Sequence, residues 1–93
     1  NIYPAELEQL LESHPGVSEA AVVAQDHEFW GAVPIAFVVR ADGNLNASQV
    51  LEMFEGQVAR FKQPKAVIFL DSLPRNAMGK IQKLALKDLI RCD

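Results

Sequence analysis

The cations of PRNAMGKIQK, residues 74–83, are the side chains best placed to do chemistry. Lys80 follows Gly79, a residue free to take a positive φ, and Arg75 stands at the mouth of the same run. Pro74 fixes its own backbone and presses Leu73 toward an extended shape. Asn76 is a ready turn former. The stretch predicts an exposed loop that presents one ammonium beside a flexible glycine. Such a group suits a phosphate or a carboxylate, whereas most lysines in turns are simply solvated. The residues alone leave both readings open. A phosphate-cradling GxxxxGK[ST] loop is excluded, because Ile81 occupies the Ser/Thr position and Pro74 the first glycine position.

A loop aims a side chain only if regular elements hold its ends. Before it, AVIFL (66–70) reads as a strand. After it, residues 83–91 read as a helix with Leu86, Leu89 and Ile90 as its buried side. Upstream, Pro4 suits a first helical turn, and Glu6 and Glu8 suit its dipole. Leu7, Leu10 and Leu11 share a face, so a helix over 4–13 is expected, broken at Pro15 and Gly16. Its acidic residues are read as a solvated face. EAAVVAQ (19–25) and VPIAFVVR (33–40) read as strands of an antiparallel hairpin with a longish loop. Pro34 suggests an edge strand or a strand beginning. Apolar residues on both faces call for helices on both sides. Asn46 or Ser48 caps a helix over 47–59, weakened slightly by Gly56. The order is helix, strand, strand, helix, strand, helix: a small α+β domain with about three main strands and three packed helices.

The totals agree with one small globular domain of 93 residues, 49% of them hydrophobic. A net charge of −3 argues against nucleic-acid binding. Apolar runs are far shorter than the ~20 residues that span a bilayer. The single cysteine, Cys92, rules out a disulfide within the chain and fits a reducing, cytoplasmic setting. His14 sits at a helix end, where a dipole contact explains it, and His27 sits in a turn; with one cysteine they make no metal site. The chain lacks a starting Met and begins inside a motif, so it is expected to be a fragment of something larger.

PRNAMGKIQK resembles the C-terminal signature of the adenylate-forming (AMP-binding) enzyme superfamily. NIYPAELE resembles the segment just past the hinge of those enzymes, and HPGVSEAAVVAQDHEFWGAVPIAFVV with FKQPK is similar to the acyl-CoA synthetase branch. Within that branch the FKQPK to PRNAMGKIQK region looks most like malonyl-CoA synthetases. The resemblance implies a mobile C-terminal domain over residues 1–93, with the main ATP and acid pockets in an N-terminal domain outside this chain. It implies ATP with magnesium, CoA and a small carboxylic acid as ligands, and an isolated domain with no ligase activity.

The resemblance also assigns roles. Lys80 is the lysine that meets the substrate carboxylate and the α-phosphate region of ATP, with Arg75 and Gly79 in the same loop. Acetylation, known for this lysine in relatives, would delete its charge. Trp30, Phe61, Lys62, Gln63 and Lys65 lie near the nucleotide end of CoA after the domain rotates: the rings offer flat faces and the lysines offer charge. Gln63 stands where some relatives have arginine. Tyr3 lines the pantetheine tunnel. Two other functions stay open on the sequence: an adenylation domain that hands its acyl group to a carrier protein, and a non-catalytic α+β interaction domain.

Overall fold

The computed structural model describes residues 3–27, 29 and 31–90. Helix α1 (Pro4–Glu12) leads into strand β1 (Val17–His27), which turns back into β2 (Gly31–Arg40). Helix α2 (Ala47–Glu52) and a 3-10 turn (Arg60–Lys62) lead to β3 (Ala66–Phe69), and α3 (Lys83–Ile90) follows the Lys80 loop. The predicted order and class hold.

β2 lies between its two neighbours, antiparallel to β1 and parallel to β3. Six successive β2 residues, 33–38, are buried, as a strand covered on both faces requires. On one face Leu7 and Leu11 of α1 and Val50 of α2, with Phe54, pack against Ala20, Val22, Ala36 and Val38. On the other, Leu86 of α3 and Leu73 pack against Ala21, Val23, Ile35 and Phe37. The alternation of one strand residue up and the next down assigns each side chain to its helix layer.

Pro34 is not on an edge strand but in the middle of the sheet. Its carbonyl points toward β3 and accepts the Lys65 N–H at 2.8 Å, while β2–β3 pairing begins one residue later, at Ile35 with Ala66. The proline nitrogen therefore faces a side where no ladder bond is yet required, which reconciles a proline with a central strand. The expected longish hairpin loop is short, because the strands extend to His27 and Gly31.

Asn46 caps α2 through a reciprocal box: its side chain accepts the Gln49 N–H, and the Gln49 side chain accepts the Asn46 N–H. The helix expected over 47–59 ends at Glu52. Gly56 takes φ +78° and turns the chain, dropping Phe54 into the core. Leu89, expected on the buried side of α3, is 53% exposed, since only the stripe through Leu86 and Ile90 meets the sheet. The His14 Nδ1 accepts the Gly16 N–H at 2.9 Å, closing the turn after α1.

The outer edge of β1 is plugged. Glu8 of α1, expected on a solvated face, accepts the Val22 N–H at 2.8 Å and pairs with the Lys83 ammonium at 2.7 Å. α1 and α3 come from opposite layers, so the carboxylate joins both across the free edge. At the other margin, the Arg40 guanidinium sits over the Phe69 ring at 4.2 Å and donates to the Leu45 carbonyl. No helix among the described residues is long and apolar enough to cross a membrane.

Candidate functional site

Residues 74–82 form a miniature hairpin. Arg75 and Ile81 make an antiparallel bridge, and the Gln82 N–H donates to the Pro74 carbonyl at 2.8 Å. At the tip, Asn76 closes the turn: its side-chain oxygen accepts the Met78 and Lys80 N–H groups. Gly79 takes φ +84°, as expected, and an added Cβ would meet nothing within 4 Å, so the glycine is there for backbone conformation rather than for space. Ile81 packs under the turn with Leu73.

The Lys80 side chain is exposed and has no hydrogen-bond or ion-pair partner among the described residues. It shares a shallow open depression with Asn76, Ile81, Gln82, Lys83 and Leu84. Its neighbour cations are engaged. Arg75 donates to the Gly79 carbonyl at 2.7 Å and pairs with Glu19 on β1, and Lys83 pairs with Glu8. A single unneutralised ammonium therefore stands on a turn whose backbone is held through Asn76.

The second candidate group gathers elsewhere. The Lys62 ammonium lies 5.4 Å from the centre of the Tyr3 ring and 5.9 Å from that of Phe61. Both rings remain largely open, Phe61 at 67% and Tyr3 at 56% exposure, so their faces are available to a flat ligand. Lys65 is exposed one residue before β3. Gln63 differs from the rest: its amide nitrogen donates to the Phe54 and Val58 carbonyls, pinning the turn after α2. Both bonds are structural, and no sequence signal distinguished them from a ligand contact. Trp30 lies outside the described residues, as does Cys92. Among the described residues, no three His, Cys, Asp or Glu side chains gather closely enough to hold a metal ion.

The sheet register fixes how far apart the groups are. Lys65 meets β2 at Pro34, whereas Leu70, which leads into the Lys80 hairpin, meets it at Val38. Four residues of strand separate these points by about 13 Å. Glu19, the Arg75 partner, pairs with Val39 at the same far end. Tyr3 opens α1, and Gln63 binds the segment after α2, so the patch belongs to the α1/α2 layer. The hairpin packs with α3 on the other layer. The Lys80 turn and the aromatic–lysine patch thus occupy opposite ends and opposite faces of one sheet. Asn76 and Glu19 were not singled out as site residues; an asparagine followed at four residues by the lysine was the available signal for the first.

This arrangement has close counterparts. The chain is 50% identical over 91 residues to indoleacetate–CoA ligase of Aromatoleum aromaticum, covering 97% of this chain and 18% of that protein. It is 48% identical over 90 residues to 2-succinylbenzoate–CoA ligase of Bacillus cytotoxicus, with the same shares. The ATP-bound structure of MatB from Rhodopseudomonas palustris superposes with a TM-score of 0.92 at 44% identity, over 99% of this chain and 18% of that one. The chain thus spans about a fifth of the length of the relatives it matches. Residues 6–80 match the model of the AMP-binding enzyme C-terminal domain, ending on Lys80 itself, and the chain belongs to that family.

Proposed function

We propose that this domain serves an AMP-forming acyl-CoA ligase, and that Lys80 is its adenylation cation. The parent enzyme joins a carboxylate to the α-phosphate of ATP with release of pyrophosphate, then transfers the acyl group from the adenylate to the CoA thiol with release of AMP. The observation that carries this reading is the Lys80 ammonium, unpaired among the described residues on a turn whose other cations are neutralised.

The physics of the first half-reaction supports it. A carboxylate that attacks a phosphate brings like charges together, and the departing pyrophosphate gains charge. An ammonium at 4 Å and an effective dielectric near 20 offsets about 4 kcal/mol of this before desolvation. If the interaction grows in the transition state, that is worth up to about a thousandfold in rate. A lysine already locked in a salt bridge would have to break it first; Lys80 does not.

The aromatic–lysine patch is read as the CoA-facing surface. Phe61 and Tyr3 offer faces for the adenine or the pantetheine arm, with Trp30 as a further ring in the same role. Lys62 and Lys65 offer charge to the phosphates. Gln63 supports the patch from behind. Because the two groups sit at opposite ends of the sheet, serving one active centre with both requires the domain to turn between half-reactions. ATP arrives with magnesium, whose charge neutralises phosphate oxygens; the N-terminal domain of the parent enzyme is its seat in this reading. The setting is cytoplasmic, in keeping with one cysteine. The matched relatives act on unlike acids, so selectivity for the acid is assigned to the rest of the enzyme, and the isolated domain is expected to make no acyl-CoA.

The deciding experiment is Lys80→Ala in the full-length ligase, with the half-reactions measured separately. ATP–pyrophosphate exchange is expected to fall by about two to three orders of magnitude, while thioester formation from supplied acyl-adenylate and CoA stays near the parent rate. Equal losses in both halves would remove Lys80 from its role.

A further inference from the structure

One residue holds both backbone polar groups of the reactive lysine. The Asn76 side-chain oxygen accepts the Lys80 N–H at 3.0 Å, and the Asn76 N–H donates to the Lys80 carbonyl at 3.0 Å. The same residue also takes the Met78 N–H on its side chain and the Gly79 N–H on its carbonyl, both at 2.9 Å. The turn is exposed, so these bonds do little for the hydrophobic core. Their effect is directional. A lysine has a flexible four-carbon stem, and what a protein can fix cheaply is the line along which that stem leaves the backbone. Gly79, at φ +84°, sets that line, and Asn76 clamps it on both sides.

We propose that Asn76 is the positioning residue of the adenylation step: it fixes the exit direction of Lys80 and touches no reacting atom. The proposal rests on the reading of Lys80 as the adenylation cation. It assigns to a turn-forming asparagine a role in rate, beyond that of shaping a loop. Substituting Asn76→Ala deletes the oxygen that holds two N–H groups. Substituting Asn76→Asp keeps an oxygen in the same place, and an ionised acceptor strengthens both bonds.

The test uses the full-length ligase, with exchange measured on whichever of malonate, indole-3-acetate and 2-succinylbenzoate supports it fastest. Asn76→Ala is expected to lower the exchange kcat by roughly 10- to 100-fold, the scale of a small misplacement of a reacting group. KM for ATP and for the acid should change by less than about threefold. Asn76→Asp should restore most of the rate, and thioester formation from supplied adenylate should not move. In a Lys80→Ala background, Asn76→Ala should cost no more than about twofold further, because its effect runs through the lysine. A full additional loss in that background, a matching loss in thioester formation, or no loss at all overturns the inference. If Lys80→Ala alone leaves exchange intact, it is the proposed function that falls. If exchange collapses on Lys80→Ala and survives Asn76→Ala, only the positioning role is lost.

Discussion

The Lys80 turn and the Tyr3–Phe61–Lys62 patch handle their cations in opposite ways. In the turn, Asn76 ties down the backbone around Lys80, and that ammonium is left without a partner among the described residues. In the patch, the ammonium already rests near two aromatic rings, and the rings are what stay open. A free ammonium suits a charge that appears suddenly and strongly, as when pyrophosphate departs. A ring with a cation at its face suits a flat, resident ligand that must be held but not transformed. The difference teaches that one small sheet can present two unlike cation environments if they are kept on separate layers.

The strongest way to probe that division is through what the two regions share. Leu86→Ala removes a fully buried side chain beneath the Lys80 layer and should cost about 2–5 kcal/mol. Denaturant unfolding should still show one transition, with the patch melting together with the turn. Two transitions would mean the ends are separate units. Gly79→Val should come next, at about 1–2 kcal/mol of local strain from a left-handed backbone. Exchange should drop about tenfold or more, with CoA saturation unchanged; an equal fall in CoA affinity would erase the division of labour. Phe61→Ala should raise KM for CoA by about 5- to 10-fold, the worth of one stacked ring, and leave exchange untouched. Smallest of all, Glu8→Gln should lower stability by roughly 0.5–1 kcal/mol, visible as a shifted urea midpoint, with neither half-reaction altered. A selective loss of exchange there would extend the functional turn to the β1 edge.

Much of this was readable in advance, for definable reasons. Two-sided apolar strands predicted helices on both faces, and of the two candidate caps, Asn46 and Ser48, the structure uses Asn46. Gly79 announced a positive φ. What the sequence concealed was tertiary. Pro34 spoke for an edge or a strand beginning, yet only the point where β3 begins decides which side of a strand lacks a partner. Leu89 fits the helical period, but the buried stripe of α3 runs through Leu86 and Ile90 and leaves it exposed. Glu8 looks like any solvated carboxylate until the Val22 amide is found beside it. Gln63 and Lys65 are neighbours in one basic run, yet one props a turn and the other is open to ligand. Arg75, read with the ATP loop, spends its guanidinium on Gly79 and Glu19.

The Glu8 plug has a consequence for the exposed margin of the sheet. β1 is an eleven-residue border strand, and an unpaired border strand is a ready template for sticking to a sister molecule. With a carboxylate seated on the Val22 amide and a lysine clasped over it, that border is a poorer seed for fibrils or strand exchange.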